Sequence, residues 1–539
     1  MLRYFIYMLV YLSKNVSNVK KIIDVLSICP IYLKKSMLGF RPTSFLYKKY
    51  SRSDNMLYKS KNQSLNFKQT TLIASMLFGL FFGAGNLIFP IYMGNLAGNK
   101  IFIALLGFLI TGVGLPLLGV ASIGVSKSEG LIELSSKVGK GYGVFFTCVL
   151  YLTIGPCFAI PRCATVPFTV AVEHMLGEGV NVQAILAIFT AIFFAIVLAF
   201  SLFPSKILTW VGKILTPLFL VFLAVLVIAA LVKPVGSITS TPAQNDYTSK
   251  AFATGFLEGY NTMDALASLA FGIVVIDVIR KQGVTSPSSI AKNTIKSGAL
   301  SCLFMALIYL GVSVIGAQSG ALFGQSFNNG GEVFVKVSNH YFNKAGIIIL
   351  AIIVTLACLK TAIGLVTSAS ETFVKLFPKF LPYRAWAVIF SIVSFLIANL
   401  GLMSIIAYAV PVLMFLYPLA MTLILLGLFG NTFKHRRCIY VSTTSFTLVA
   451  AIFDLIAALP SSVVAKLHAE GTLAFLSEHV PLFKYGMGWL IPALVGLAIG
   501  IIYAVATKKQ AAWKYDICQK DTSEYVLEKT IVQNECDVA

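Results

Sequence analysis

Charged residues are scarce in this sequence of 539 residues, at 12% of the composition, whereas soluble domains carry about 25%. Hydrophobic residues reach 58%. They fall into nearly uncharged blocks of about 18 residues or more, and each block is long enough to cross a hydrocarbon core of about 30 Å as a helix. These features exclude a soluble globular protein and predict a polytopic membrane protein.

Histidine is also rare, with five residues in the chain and none in a ligand-like pair. HExxH, GxSxG and P-loop motifs are all missing, which argues against a membrane-embedded enzyme. The nine cysteines form an odd set without CxxC spacing, and most lie in or beside apolar blocks, where a thiol packs as a small hydrophobe. We therefore assign no disulfide, no metal cluster and no cofactor.

Twelve apolar blocks predict an all-α protein with twelve transmembrane helices. Gly401 alone separates the ninth block from the tenth, which predicts a tight hairpin. The predicted spans are Thr71–Pro90, Ile101–Val125, Gly143–Ile160, Val182–Leu202, Ile207–Val232, Phe252–Val278, Ile295–Ala317, Ala345–Val366, Tyr383–Leu400, Leu402–Leu428, Val441–Leu459 and Met487–Ala506.

The net charge of +21 raises the question of nucleic acid, but the positions of the basic residues answer it. If the N-terminus is inside, the inner loops hold fourteen Lys and Arg residues and the outer loops seven. Cytoplasmic loops are enriched in these residues, so both termini are predicted inside. The excess charge then reflects membrane topology, and no nucleic-acid partner is expected.

Three segments divide the chain: a basic N-terminal extension over 1–68, a transporter domain over 69–508 and a cytoplasmic tail over 509–539. The extension begins with a short apolar run, Met1–Leu12, which is too short to span a bilayer. A targeting peptide is one interpretation. We favour a translation start at Met56, which puts a short basic lead directly before the first span.

The first span contains Phe78–Pro90 (FGLFFGAGNLIFP), in which three glycines and an asparagine interrupt an apolar helix. This pattern predicts a broken helix. Unwound backbone at membrane depth offers N–H groups to an anion and carbonyls to a cation, and it is tolerated only where it is buried or lines a cavity. Close helix packing through small residues is the alternative.

The sixth span repeats the pattern in Gly255–Leu266 (GFLEGYNTMDAL), which sets Glu258 and Asp264 inside an apolar stretch. Intramembrane acids are costly and usually functional. Interrupted helices at corresponding positions of two halves are the best sequence pointer to a transporter site. The coincidence favours a transport site over simple packing.

Four segments together resemble the branched-chain amino acid:cation symporter family (LIVCS, BrnQ-type carriers). The resemblance is continuous from about Thr70 to Lys508 and is strongest in Phe78–Pro90, Thr153–Val166, Gly259–Gly272 and Cys358–Ser370. It implies membership of the amino acid/polyamine/organocation superfamily. It also implies a LeuT-like fold with a 5+5 inverted repeat, broken helices 1 and 6, and two added helices.

The resemblance implies secondary active import of Leu, Ile and Val by Na⁺ symport with alternating access, across the bacterial cytoplasmic membrane. The partners would be the branched-chain amino acid, a monovalent cation and membrane lipid. Backbone N–H groups of helix 1 would bind the substrate carboxylate, and apolar residues would line the pocket. The implied substrate-binding residues are Gly83, Ala84, Gly85, Asn86, Phe158, Tyr260, Asn261, Thr262 and Met263, and Phe82 is expected to contribute to the apolar pocket.

A coupling Na⁺ is expected where helix 1 meets helix 8, because oxygen ligands suit a hard cation. The implied ligands are the carbonyls of Gly79, Phe82 and Ala357 and the hydroxyl of Thr361. The alternative for Thr361 is a hydroxyl bonded to its own helix backbone.

Lys360 lies deep in the eighth span beside this predicted ion site. Three interpretations stay open: it snorkels, pairs with Asp264 or Glu258, or replaces a cation at the ion site. In the third case proton coupling competes with sodium, because a desolvated lysine titrates at lower pH.

Arg162 follows an irregular stretch in the third span and is expected toward the outer face. It is either a gate residue that pairs with an acid or an arginine at the membrane interface. At the level of function, a proton-coupled permease for another small zwitterion or a nucleobase is the main alternative. A channel is disfavoured, because two interrupted helices would have no purpose there.

Overall fold

The computed structural model describes residues 65–507, apart from 129, 174–175, 177–178, 203–215 and 285. The predictions about the N-terminal extension, the start at Met56 and the C-terminal tail lie outside these residues. So does the first part of the predicted fifth span.

Helices make up the described secondary structure, and no strand occurs in these residues. The α-helices are α1 (Phe67–Phe81), α2 (Ala84–Ala97), α3 (Ile101–Leu109), α4 (Leu115–Val125), α5 (Leu131–Ser136), α6 (Lys140–Leu152), α7 (Ala159–Ala171), α8 (Val182–Ser201), α9 (Thr216–Val232), α10 (Tyr247–Glu258), α11 (Asp264–Lys281), α12 (Pro287–Phe323), α13 (Gly330–Leu376), α14 (Tyr383–Ala398), α15 (Leu402–Phe429), α16 (Arg437–Ala457), α17 (Ser461–Lys466), α18 (Glu470–His479) and α19 (Leu490–Ala506).

Each predicted span coincides with a helix over at least part of its length. By length and composition, the described residues contain seven helices able to cross a membrane, or eight if the bent pair of α10 and α11 forms one span. Four shorter apolar helices accompany them: Phe67–Phe81, Leu223–Val232, Tyr383–Ala398 and Leu490–Ala506. The all-helical, polytopic architecture is confirmed, and the count of twelve stays a prediction.

The predicted break in helix 1 is confirmed between α1 and α2. The first helix begins with a capping box, in which the Asn66 side chain accepts from the Gln69 N–H and the Gln69 side chain accepts from the Asn66 N–H. It ends at Phe81, and the backbone turns extended at Phe82 (ψ 96°) and Gly83 (φ −124°, ψ −155°) before α2 begins. Two extended residues thus divide the span.

The sixth predicted span, which we call helix 6, consists of α10 and α11. It is broken at Met263, between a 3-10 turn over Gly259–Thr262 and the start of α11. Met263 has a φ of +63°, in the left-handed region. Residues other than glycine rarely adopt this conformation, and where they do they cluster at functional sites. The two parts of the helix bend by 41°. The second predicted break is therefore confirmed as well.

The third span departs from the prediction at its outer end. A π-turn over Thr153–Cys157 contains the non-helical Gly155 (ψ −126°), as expected for an irregular stretch. The helix then resumes in α7 and runs to Ala171, so the predicted end at Ile160 is wrong. Pro161 is tolerated because it lies in the first turn of α7, where an N–H has no intrahelical acceptor.

The long helices around the seventh and eighth spans also exceed the apolar blocks. α12 covers 37 residues and α13 covers 47. Within α13, Asn343 has non-helical angles (φ 53°, ψ −152°), so the segment before it is a separate helix capped by Asn329. The tight hairpin between α14 and α15 is confirmed, with Gly401 at a φ of +84°.

The broken helices lie inside the packed core. α2 packs on α12, and α7 packs on α13. α10 and α11 lie against α3 and α4, while α16 and α19 pack on each other beside α15. This arrangement brings the interruptions of the first, third and sixth spans together, with α13 alongside them.

Candidate functional site

A small cavity of about 30 Å³ lies between the two broken helices. Such a volume holds about two water molecules, so a larger ligand enters only if the lining elements move apart. Nine of the predicted site residues line it: Gly83, Ala84, Gly85, Asn86, Arg162, Thr262, Met263, Asp264 and Thr361. Its apolar wall comes from Leu80, Phe81, Ile154, Ala267, Phe271 and Leu365.

Asn86 connects the two breaks through its side chain. Its Oδ1 accepts from the backbone N–H of Gly83 at 3.0 Å, and its Nδ2 donates to Asp264 Oδ2 at 2.5 Å. The same Nδ2 lies 2.5 Å from the hydroxyl of Tyr309, which donates to Asp264 Oδ2 at 2.9 Å. Sequence reasoning missed Tyr309, one of several hydroxyl side chains in the seventh span.

Arg162 is buried, with 3% of its surface exposed, and it lies within α7, which continues to Ala171. Its predicted position toward the outer face and its role as a gate stay predictions. Its Nη1 donates to the carbonyl of Asn261 at 2.7 Å, and its guanidinium carbon lies 5.1 Å from the ring centroid of Phe89. Arg162 thus joins α7 to the break in helix 6 through a backbone carbonyl rather than an acid.

The predicted anion-binding N–H groups of helix 1 already have neighbours. Gly83 donates to Asn86, as described above, and Ala84 lines the small cavity together with Cys163. Gly85 packs directly on Arg162, since a Cβ at this position would lie 2.7 Å from Nη2.

The remaining predicted residues of helix 6 border a second, larger space on the other side of the break. This vestibule has a volume of about 260 Å³, and its lining includes Glu258, Tyr260 and Asn261. The ring of Tyr260 stacks on that of Tyr417 with centroids 4.0 Å apart. An ion pair between Lys250 and Asp246, at 3.1 Å, lies at the same vestibule.

Two predicted pocket residues do not line the small cavity. Phe158 is buried at the interruption of the third span, where it precedes α7. The ring of Phe82 stacks on those of Phe78 and Tyr309, with centroid distances of 4.9 and 6.1 Å. The apolar wall instead comes largely from Phe271, Ile154 and their neighbours, which sequence reasoning missed because no polar residue marks them.

Three of the four predicted sodium ligands converge. Thr361 Oγ1 lies 3.4 Å from the carbonyl oxygen of Phe82 and 3.2 Å from that of Ala357. The contact with Ala357 is the bond to its own helix that formed the alternative interpretation, and the contact with Phe82 reaches the break of helix 1. Gly79 lies within α1, and its part in ion binding stays a prediction.

Lys360 is buried next to this oxygen cluster, with 1% of its surface exposed. Its Nζ lies 5.9 Å from the ring centroid of Phe78. It is not a lining residue of the small cavity. Among the described residues, no group of three or more His, Cys, Asp or Glu side chains could hold a metal ion.

Two interrupted helices that face each other across a cavity are typical of membrane transporters. A solved structure supports the same conclusion for the fold: a nucleobase-cation-symport-1 family transporter, in a closed conformation with bromovinylhydantoin bound. It has a TM-score of 0.53 and 15% identity, covering 85% of this chain and 98% of that one. The protein therefore has a polytopic, LeuT-like fold.

The family follows from the sequence comparisons. A family model described as branched-chain amino acid transport protein matches residues 66–507. The branched-chain amino acid permease BrnQ of Lactobacillus delbrueckii subsp. lactis is 50% identical over 450 residues, covering 83% of this chain and 100% of the relative. BrnQ of Bacillus subtilis (strain 168) is 40% identical over 438 residues, covering 81% and 97%. The chain belongs to the branched-chain amino acid transport protein family, and it is a transporter rather than an enzyme.

Proposed function

We propose that this protein imports Leu, Ile and Val by Na⁺ symport across the bacterial cytoplasmic membrane, with both termini inside. The observation that carries the proposal is the cavity between the two broken helices, which combines an apolar wall with charged and polar groups. A branched-chain amino acid needs both kinds of surface. The relatives named branched-chain amino acid permeases support the same substrate class.

Sodium as the coupling ion is supported by the oxygen cluster at Thr361. The distances from its hydroxyl to the carbonyl oxygens of Phe82 and Ala357 are 3.4 and 3.2 Å. A cation held about 2.4 Å from each oxygen needs neighbouring ligand oxygens about 3.4 Å apart at a right angle. Such a site would also link the break of helix 1 to α13, so ion binding and substrate binding would use the same unwound segment.

Alternating access is supported by the two separate spaces on either side of the helix 6 break. Asn261 borders the vestibule, Thr262 borders the small cavity, and Arg162 holds the Asn261 carbonyl. The small cavity is too small for an amino acid, so loading requires the lining helices to separate. Rigid-body movement of this kind is the usual mechanism in transporters built from repeats.

Uptake into proteoliposomes tests the proposal directly. Purified protein is reconstituted, and labelled isoleucine uptake is measured with inward Na⁺, Li⁺ or proton gradients imposed separately. We expect accumulation with the Na⁺ gradient and none with the proton gradient alone. Unlabelled Leu and Val should compete, whereas Lys and Glu should not. Strong competition by Lys or Glu contradicts the substrate class, and sodium-independent uptake contradicts the coupling ion.

A proton-coupled permease for a small zwitterion on the same fold is the second candidate. The observation that favours it is the buried Lys360, adjacent in sequence to Thr361. A buried amine that binds and releases a proton during transport could supply the coupling. The same proteoliposomes separate the candidates: accumulation driven by a pH gradient without Na⁺ would support this one.

A further inference from the structure

Arg162 and Asp264 place opposite formal charges on the walls of the same small cavity. Their exposed fractions are 3% and 2%. Charged side chains at membrane depth are costly and mark binding or transport pathways. In the described part of the chain they form no ion pair with each other, so each retains capacity to bind an opposite charge on a ligand.

The guanidinium of Arg162 is held in place, but not all of its N–H donors are used in hydrogen bonds. Nη1 donates to the Asn261 carbonyl at 2.7 Å, and the group lies against the Phe89 ring. Nε is buried, and it has no hydrogen-bond acceptor among the residues that the structure describes. A guanidinium has five N–H donors in a fork that matches the two oxygens of a carboxylate. The unused donors are therefore suited to a carboxylate that enters the cavity.

The backbone donors of helix 1 are less available for that role. The Gly83 N–H is engaged by Asn86 Oδ1 at 3.0 Å. A substrate carboxylate bound there would have to displace this acceptor. Arg162 needs no such rearrangement.

The carboxylate of Asp264 provides the opposite charge. Its Oδ2 accepts from Asn86 and Tyr309, at 2.5 and 2.9 Å. Since an ionised carboxylate has about four lone-pair sites on two oxygens, it can accept further donors. Asp264 also lies in the first turn of α11, where the helix dipole stabilises a negative charge.

We infer that Arg162 binds the α-carboxylate of the substrate and Asp264 binds its α-ammonium group. The inference rests on the proposed function, because it requires an amino acid as substrate. This assignment makes both charges of the zwitterion necessary for binding. A substrate analogue without the carboxylate leaves Arg162 without a partner, and an analogue without the ammonium group leaves Asp264 without one. Buried groups left unpaired in this way give strong discrimination.

Gly85 is the positioning residue for Arg162. A Cβ at this position would lie 2.7 Å from Nη2, 3.1 Å from the guanidinium carbon and 3.3 Å from the Asn261 carbonyl oxygen. Alanine therefore displaces the guanidinium, although it leaves both charges and its own backbone N–H in place. Glycine is required here because of the close approach of the arginine.

The test compares three ligands that share one side chain: L-leucine, 4-methyl-2-oxopentanoate without the ammonium, and 3-methylbutylamine without the carboxylate. Binding to the full chain in nanodiscs is measured by ligand-induced thermal shift. Asp264→Asn should lower the ratio of leucine to keto acid affinity by about 10- to 100-fold, the range of a charged hydrogen bond. Arg162→Gln should lower the ratio of leucine to amine affinity to a similar extent.

Two further variants sharpen the outcome. Arg162→Lys keeps the charge and loses the fork, so its ratio should lie between those of the wild type and Arg162→Gln. Gly85→Ala should lower the ratio of leucine to amine affinity as Arg162→Gln does, and should leave the ratio of leucine to keto acid affinity at the wild-type value, because both of these ligands carry the carboxylate. Equal weakening of all three ligands in every variant would indicate a structural role and overturn the assignment. If wild-type protein binds no leucine at all, the proposed function fails instead.

Discussion

Asn86 donates its side-chain amide to Asp264 at 2.5 Å, and this contact joins the break of helix 1 to the break of helix 6. The same side chain accepts from Gly83 at 3.0 Å, so one residue fixes the unwound backbone and the buried acid together. Asn86 and Asp264 are each 2% exposed. Because the hydrogen bond is buried and charge-assisted, movement of either break is expected to affect the other.

Replacing Asn86 with alanine tests this link. The change leaves the Gly83 N–H without its acceptor and removes a donor from Asp264, so we expect a loss of about 2 to 3 kcal/mol of stability together with weaker leucine binding. Asn95 is a matched control on the same helix, with hydrogen bonds to Ser319 at 3.0 Å and Gly324 at 3.2 Å.

Asn95→Ala should lower the thermal midpoint in detergent to a similar degree but leave the affinity for leucine unchanged. Equal effects of the two variants on affinity would mean that Asn86 acts only through general stability. The measurements are thermal unfolding and ligand-induced thermal shift on the same preparations.

The sequence predicted the features that are marked by residues close together in the chain, and it missed those that depend on packing between distant segments. The breaks of helices 1 and 6 were predictable because glycines, Asn86 and the two acids interrupt apolar runs over a few residues. The exact break at Met263 was not, since a left-handed methionine is imposed by surrounding packing rather than by its own preference. The end of the third span was predicted at Ile160, and the continuation of α7 to Ala171 was missed.

Contacts between distant segments could not be predicted from the sequence. Tyr309 lies 45 residues from Asp264 in the chain, and nothing in its own span indicates which hydroxyl or acid it meets. The residues of the apolar wall of the cavity could not be predicted either, because Phe271 and Leu365 resemble every other apolar residue in their spans. Such assignments require the packing of whole helices.

Ala267 provides a prediction about side-chain selectivity. It lines the small cavity together with Phe271 and Met263. Ala267→Val adds two methyl groups to the wall, so leucine affinity should fall about tenfold or more relative to alanine, since one or two methylenes are worth about 1 to 3 kcal/mol.

Competition against labelled isoleucine uptake measures this ranking. Ala270 is the control, because it is buried on the same helix but does not line the cavity. Ala270→Val should change the yield of folded protein without reordering the substrates. An unchanged leucine to alanine ratio in Ala267→Val would place the side-chain pocket elsewhere.

His435, in the loop between α15 and α16, is expected to make the stability of the folded chain depend on pH. Burial lowers the pKa of the His435 imidazole from its ordinary 6.5, and the positive charges of Lys137 and Lys127 lower it further. The folded chain therefore binds fewer protons than the unfolded chain between the two pKa values, and the free energy of unfolding falls as the pH drops from 6.5 through the folded-state pKa.

His435→Gln should flatten this dependence in thermal unfolding curves measured between about pH 5 and 8, the range in which histidine titrates. Lys137→Gln should flatten it partly, by removing one of the two repelling charges. The hydrogen bonds of His435 to Tyr440 and Asn431, both 3.0 Å, make a small loss of stability expected at every pH. A dependence as steep as that of the wild type in both variants would rule out this histidine as its source.

Thr361 provides the prediction about ion coupling. Its hydroxyl lies between the carbonyls of Phe82 and Ala357. Thr361→Val removes this oxygen but keeps the shape, so half-maximal uptake should require about tenfold more Na⁺ if one ligand contributes about 1.4 kcal/mol. Thr361→Ser should behave like the wild type. Because linkage is reciprocal, leucine should tighten Na⁺ binding by the same factor by which Na⁺ tightens leucine binding.

The matched control is Thr355 on the same helix, whose hydroxyl bonds only to its own helix at Ala351, at 2.7 Å, among the described residues. Thr355→Val should leave the Na⁺ requirement unchanged, which separates loss of an ion ligand from loss of a helix-internal bond. Lys360→Met tests proton coupling: if a titrating amine drives transport, this variant should lose accumulation but retain exchange. Wild-type uptake that ignores Na⁺ and follows a pH gradient would reject the sodium site at Thr361, while the broken-helix substrate site would stand, because Asn86, Arg162 and Asp264 belong to a separate set of contacts.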